Sequence, residues 1–533
     1  MKVKLSDVGS LGWIDDIPPH DLSENPLAWS AARNVIFRSG LLERASGYAA
    51  GFDLTPTAAA YGLFSATKPD GTQFLIAGGA TKVFSYTGTT ENEITPATTM
   101  AAGVDARWSG GVLSGIVVLN CPDKHPQFIT VANLDSGSTN FADLTNWPSS
   151  PTTTCRVMRP FKYFLFAGDM TEDSVRKPFK IRWSASAEPG ALPASWVATT
   201  SNNAGSIDVS DSDGKVIDFL PLGDQLACYT ENSIYLARFI GGTDAANRLV
   251  FSFQRVPVGQ SGGMLGLNCG CDVPNLGHVV LGSNDVYLFN GTSTQSIIDK
   301  RLRRWLFDNI APATRTRSFV VNHASDSEVW ICFPFGSSAT DCTKALVWQY
   351  GDGFPGTWGV RDLPSVTAGI HAAVAELSGP VYTGLTGVYD DLTGTYESTW
   401  PTAPVGRKTV LSATANLLYV VGNASDANGA TFTAEVQRDY LAFGDAQRVK
   451  FFREIWPRFD GDGGQQIEIS VGTAMSVNES PSFQTAQTYT IGTSRAIYVN
   501  KAGRFLSLRM RSTSGTPWKL RSLDIDLQPQ GVY

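Results

Sequence analysis

His20, His125, His278, His323 and His371 are the only histidines of the chain. No two have the HExxH spacing that sets a pair of imidazoles on one helix face around zinc. Thiolate ligation fares no better. Cys269 and Cys271 form a CxC with no second pair and no histidine cluster beside it, so they read as small buried hydrophobes. Carboxylates offer two calcium-like runs, Asp211-Ser212-Asp213-Gly214 and Asp460-Gly461-Asp462-Gly463. An EF-hand loop from Asp460 needs a glutamate at its twelfth position, where Val471 stands, and both runs read as turns. The Gly-rich GQSGGMLG from Gly259 follows Arg255-Val256-Pro257 with no helical pattern after it, so a loop is expected there and no phosphate cradle. The GxxxxGK[ST] phosphate-binding pattern is absent. These residues lead to the expectation of a non-enzyme with no catalytic, cofactor-binding or metal-binding residue.

The elements that would position any site repeat along the chain. An apolar strand, a tight polar turn and an aromatic-rich strand recur in FLIAGGATKVFSYTG from Phe74, QLACYTENSIYLARF from Gln225, HVVLGSNDVYLFNG from His278 and PVYTGLTGVYDD from Pro380. Looser forms start at Gly115, Lys162 and Ser327. Units of roughly 40 to 65 residues that cannot bury their own apolar faces are the mark of propeller blades. A β-propeller of six or seven blades is therefore expected over residues 56–400. Propellers host glycosidases, but the sialidase-type turn S-x-D-x-G-x-T-W survives only in fragments, from Ser184 (with Ser186 in place of the Asp) and from Gly351 (lacking the Ser).

Residues 1–55 read as a separate segment. Asn25 and Pro26 suit the cap and first position of a short helix through Asn34, and a two-residue turn at Ser39-Gly40 joins Val35–Arg38 to Leu41–Arg44 as a hairpin. A second helix is expected from Ser296 to Ile310, with Arg301, Arg303 and Arg304 off its apolar stripe, facing solvent or meeting an acidic neighbour or passing DNA. Residues 401–533 alternate apolar and polar, as in KLRSLDIDL, and read as a C-terminal β-sandwich-like domain behind a linker at 399–406.

Composition narrows the function classes. A net charge of −7 over 533 residues gives no global attraction to nucleic acid or to an anionic membrane, though a conduit past which DNA slides would also avoid strong phosphate contacts. The seven scattered cysteines are no disulfide framework, no apolar signal region opens the chain, and no run approaches the ~20 apolar residues of a membrane span. A cytosol-like site of synthesis is expected.

The run from Pro26 to Gly40, followed by Leu42-Glu43-Arg44 and Gly47, resembles the start of the tail nozzle, or head-to-tail joining and packaged-DNA stabilisation, proteins of short-tailed bacteriophages. Further fragments resemble the family in order: Ile181-Arg182-Trp183-Ser184, Asn203-Ala204-Gly205, Asp285-Val286-Tyr287-Leu288-Phe289, Glu328-Val329-Trp330, Val347-Trp348, Trp358, Gly503-Arg504-Phe505-Leu506, Trp518-Lys519-Leu520 and Asp524. The resemblance implies a virion tail protein assembled in the host cytoplasm. It further implies a homo-oligomeric ring, a hexamer, that contacts a portal-adaptor ring and tail fibre or needle proteins, with double-stranded DNA passing through without sequence-specific binding. A propeller glycosidase or carbohydrate-binding protein acting on bacterial surface polysaccharide is the alternative from another class, and an intracellular scaffold propeller is a third.

Overall fold

The computed structural model describes residues 1–51, 59–87, 90–148, 153–199, 201–212, 214–241, 250–258, 262–373, 407–422 and 424–532. Five four-stranded antiparallel sheets follow one another along the chain: Gly62–Glu93, Ser109–Asp143, Thr154–Asp208, Val216–Arg255 and Gly270–Ser296. They are blades one to five. Blade six comprises Phe319–His323, Glu328–Phe333, Cys342–Gln349 and the first half of Thr357–Ala373. That last strand then becomes the inner strand of blade seven, pairing Val366–Ala373 with Arg407–Ala413. Blade seven continues with Leu418–Val421 and is finished by Tyr48–Ala50, brought from the other end of the chain. Neighbouring inner strands touch in ring order, and the seventh returns to the first through Ala368 and Val410 packed on Leu63 and Leu75. The fold is a seven-bladed β-propeller.

The repeated phrases fall on the second strand of each of blades one to six, where apolar side chains on both faces pack against the adjoining blades. The phrase from Pro380 lies outside the described residues. Packing between blades uses glycine as a socket. A Cβ on Gly62 or Gly78 would come within 2.6 or 2.7 Å of Trp108, the buried indole that blade two lays on blade one and whose Nε1 donates to the Gly79 carbonyl at 2.8 Å.

The C-terminal domain is a two-sheet sandwich, but not of residues 401–533 alone. One sheet runs Val35–Arg38, Leu41–Arg44, Trp518–Val532, Arg448–Gly461, Ile497–Gly503, with Lys2–Leu5 also pairing onto Trp518–Val532. The other runs Ala31–Arg33, Ala434–Leu441, Phe505–Ser512, Gln466–Ala474, with two short strands beyond. Ile455, Ile525 and Leu527 of the first sheet share one buried cluster with Val436, Leu508 and Met510 of the second.

Four expectations are corrected. The segment 1–55 is no independent unit, because its strands complete the sandwich and blade seven. The boundary at 400/401 moves beyond Val421, because Arg407–Val421 pairs inside blade seven. The helix expected over 25–34 is absent: Leu27, Ala28 and Trp29 are consecutive and all wholly buried, which no surface helix allows, and Ala31–Arg33 pairs with Glu435–Gln437. The second helix shrinks to Arg303–Asn309, since Ser296 ends a blade-five strand. The Asp299 amide does donate to Ser296 Oγ, but the helix itself is capped from outside, by Asp16 accepting from the Arg303 and Arg304 amides. The Val35–Arg44 hairpin forms as expected, with Ser39 and Gly40 both at positive φ.

Candidate functional site

The inner strands of a propeller surround its axis, and here side chains bridge that axis. Arg107, just ahead of the inner strand of blade two, reaches across to blade six, donating to the carbonyls of Arg317 and of Ser318 (3.0 Å for the latter). Arg159 of blade three grips Asp218 of blade four through Nε and Nη2, each at 2.9 Å, and also donates to Asn268 Oδ1 at 2.6 Å and the Gly110 carbonyl at 3.2 Å. Asp218 is wholly buried, and its second oxygen also accepts from the Asn268 amide at 3.1 Å. A cavity of about 390 Å³ lies along this network, and a second of about 180 Å³ lies towards the end where the inner strands begin. The carboxylates lining these cavities each face a guanidinium: Asp218 meets Arg159, Asp105 meets Arg317 at 2.7 Å, and Asp169 meets Arg176 at 2.6 Å.

A second polar cluster sits where blades six and seven meet the sandwich hairpin. Glu328, at 0% exposure, accepts from Arg38 at 3.1 Å and from Trp330 Nε1 at 2.8 Å, and stands 4.0 Å from Arg361. Asp326 lies 3.2 Å from His323 Nε2 and 3.6 Å from Arg38. The hydrogen bond from His323, helped by Arg38 and Arg361, pulls the Asp326 carboxyl down to about 2. On its other side His323 Nδ1 meets Thr409 Oγ1 at 2.7 Å, which His371 Nδ1 also meets at 3.0 Å. Burial, with His323 and Arg407 nearby, lowers His371 to about 4.

His323, Asp326 and Glu328 bring three ligand-type atoms within 4.8 Å of one another, the one such group among the described residues. The donor set does not suit a metal. Two guanidiniums already answer the two carboxylates, so a dication there would have to displace Arg38 or Arg361. The Asp326–His323–Thr409 chain has the order of a nucleophile relay, yet Thr409 is at 0% exposure, leaving a substrate no approach to its hydroxyl. The cluster is an ion-pair lock that fastens the hairpin to blade six.

More of the hairpin's surroundings serve the same purpose. The Asn34 amide donates to the Val360 carbonyl at 2.7 Å, and Asn34 Oδ1 accepts from the Asp362 amide at 2.8 Å. Thr357 Oγ1 donates to the Phe37 carbonyl at 2.7 Å, and the Trp13 amide to the Trp358 carbonyl at 3.1 Å. The outer edge of blade six, which would otherwise show a row of unpaired backbone groups, is thereby covered.

The residues that sequence reading singled out are mostly structural and mostly apart. His20 is near the surface, His125 sits against Trp147, and His278 is buried between Tyr229 Oη and the Pro221 carbonyl. Only His323 and His371 come together. Cys269 and Cys271 stand two apart in chain order around the start of one blade-five strand; burial pushes the Cys269 thiol up to about 12 and raises Cys271 too, which leaves neither as a thiolate ligand. Asp211 accepts from Tyr235 Oη at 2.7 Å, Asp460 ends a sandwich strand paired with Arg521, and Asp213 lies outside the described residues. Of the sialidase-like fragments, Trp196 packs on Trp147 and Trp358 stacks on Trp348. Gly259 to Gly263 also spells GxSxG, the pattern of a nucleophile elbow. An elbow joins a strand to a helix, whereas Met264 and Leu265 are tied to the Thr230 and Leu281 carbonyls and lead into a strand. The Arg301 guanidinium meets no carboxylate among the described residues but donates to the Leu11 carbonyl at 3.0 Å, while Arg303 pairs with Asp299 and the exposed Arg304 with Asp308. The axial network of Arg107, Arg159, Asp218 and Asn268 escaped sequence reading, because its members lie on four different blades and share no motif.

The fold class is thus a propeller carrying a sandwich. No protein-family model and no curated protein matches the chain. Among solved structures it is similar to the mitotic checkpoint complex at 10% identity, covering 69% of this chain and 92% of that chain with a TM-score of 0.37. It is also similar to BBS1N in complex with ARL6DN, at 10% identity over 70% and 96% with a TM-score of 0.39. The Pan2 WD40 domain of Neurospora crassa gives 10% identity over 69% and 90%, with a TM-score of 0.34. Likenesses this distant carry no functional argument, and the blade count rests on strand pairing.

Proposed function

We propose that this chain is a structural protein of a short-tailed phage virion, a subunit of the tail nozzle that retains packaged DNA and forms the channel for its ejection. One observation carries the reading: the residues on which the family resemblance rests are the ones that make the molecule stiff. Asn34, Phe37 and Arg38 lock the hairpin to blade six, Trp29 is buried and donates to the Val8 carbonyl, Trp330, Trp348 and Trp358 fill blade six, and Trp518 and Asp524 lie on the strand that binds both chain ends together. Assembly, DNA retention and DNA passage need rigidity and interfaces, and no reaction. Because Arg107 spans the propeller from blade two to blade six, a duplex would run between subunits of a ring, along an axis-facing surface that is net acidic or polar. No helix among the described residues is long and apolar enough to cross a membrane.

The test is electron cryo-microscopy with mass determination of the purified chain, alone and mixed with the portal and adaptor rings of its own phage. A ring of six 57.3-kDa chains seated on the adaptor is expected. A chain that stays monomeric in every mixture, a channel wall studded with Lys and Arg, or a monomer that binds or cleaves bacterial surface polysaccharide would overturn the reading.

A further inference from the structure

The axial cavity has a composition that the structural role leaves unexplained. At about 390 Å³ it has the size of a small-molecule site, ~300–1,000 Å³. All seven blades contribute to its wall. Each inner strand has a strand partner on one side only, so alternate backbone N–H and C=O groups turn to the axis without a ladder partner, although the Val320 and Phe219 amides are taken by the Asn268 carbonyl and Asp218 Oδ1.

The charges in the wall do not balance. They are Arg107, Arg159 and Asp218, in a chain whose net charge is −7. Arg159 and Asp218 satisfy each other. Arg107 has no such partner. It is 5% exposed, its guanidinium donates to the Arg317 and Ser318 carbonyls, its Nε has no hydrogen-bond partner among the described residues, and although the Asp105 carboxyl and the Cys342 thiol feel its charge, no carboxylate among the described residues lies within ion-pair distance. A guanidinium buried without a counter-charge is costly, and an anion placed nearby relieves that cost. Beside it, Asn268 engages the protein through Oδ1 and its main-chain amide and carbonyl, while its Nδ2 donates to no group among the described residues.

We propose that the axial cavity binds one small oxyanion, a carboxylate or a phosphate, with Arg107 supplying the charge and Asn268 Nδ2 and the bare inner-strand amides supplying hydrogen bonds. Bound there, the anion bridges blades on opposite sides of the ring. The inference stands independently of the nozzle reading.

Isothermal titration calorimetry and thermal melting of the full chain test it, using inorganic phosphate and citrate as probes at constant ionic strength set with sodium chloride. Saturable binding of one anion per chain is expected, with a raised melting temperature, and the probe that binds tells phosphate from carboxylate. Arg107→Met should weaken binding at least tenfold. Ser65→Phe, which fills the cavity without touching a charge, should abolish it and decides the matter alone if Arg107→Met does not fold. Absence of saturable binding by both probes, or unchanged affinity in the folded variants, would overturn the proposal.

Discussion

Replacing Glu328 by Gln tests the lock between hairpin and propeller. The substitution keeps the side-chain shape and an oxygen for Trp330 Nε1, so what it removes is charge. Arg361, 4% exposed and stacked 4.5 Å above Trp330, is then left facing Asp326 alone, and Arg38 loses its nearer partner. Breaking a buried pair by removing one member costs about 3–5 kcal/mol. Because Arg38 is 30% exposed and Asp326 remains, the lower end applies, about 3 kcal/mol. For 533 residues unfolding as one unit, at ~2.1 cal/mol/K per residue, that is a fall of about 3 °C in Tm. The assay is urea unfolding of the single variants Glu328→Gln and Arg38→Met and of the double variant. A coupling energy of about 1–2 kcal/mol between them is expected. Additive effects, or a Glu328→Gln variant within about 0.5 kcal/mol of the parent, would refute the claim that this pair holds the domains together.

Arg159→Met strands the buried Asp218 carboxylate and should cost about 3–5 kcal/mol in denaturant unfolding, with Asp218→Asn partly rescuing the loss in the double variant. Gly78→Val drives a side chain into the Trp108 indole and should destabilise blade one by at least about 2 kcal/mol, read as a lowered unfolding midpoint and altered tryptophan emission. His371 supplies a pH signature. Its folded pKa of about 4 lies below the ordinary 6.5, so the unfolded chain takes up a proton that the folded chain refuses. Stability should therefore fall as pH drops from 6.5 towards 4, by about 1–2 kcal/mol once partial exposure is allowed for, and His371→Gln should flatten that slope. Asp326, near 2, adds its own loss only below about pH 4, which keeps the two windows apart.

Periodic burial was readable in the chain and long-range pairing was not. The phrases from Phe74, Gln225 and His278 name their strands because a blade's middle strands are buried on both faces and leave an unbroken apolar run. Their neighbours in space are set by loop closure, which leaves no local mark. The sequence of residues 25–34 satisfies helix-start rules, yet the demand to bury Leu27, Ala28 and Trp29 together overrides local propensity. Lys2–Leu5 and Tyr48–Ala50 are short and unremarkable as sequence. Their partners lie hundreds of residues away, so neither the shared sandwich nor the completion of blade seven could be read from pattern. The axial network was hidden for the same reason, since Arg107 meets carbonyls of residues 317 and 318.

Tyr48–Ala50 against Leu418–Val421, and Lys2–Leu5 against Trp518–Val532, have a temporal meaning as well as a spatial one. Tyr48–Ala50 must wait for residues 418–421 to be made, and Lys2–Leu5 for residues 518–532. Blades one to five can form as they emerge, but the toroid is sealed only once residues 418–421 are made and the sandwich only once residues 518–532 are. The topology thus orders synthesis, since a polypeptide that stops after residue 421 but short of residue 518 holds a closed toroid but leaves Lys2–Leu5 without its partner strand.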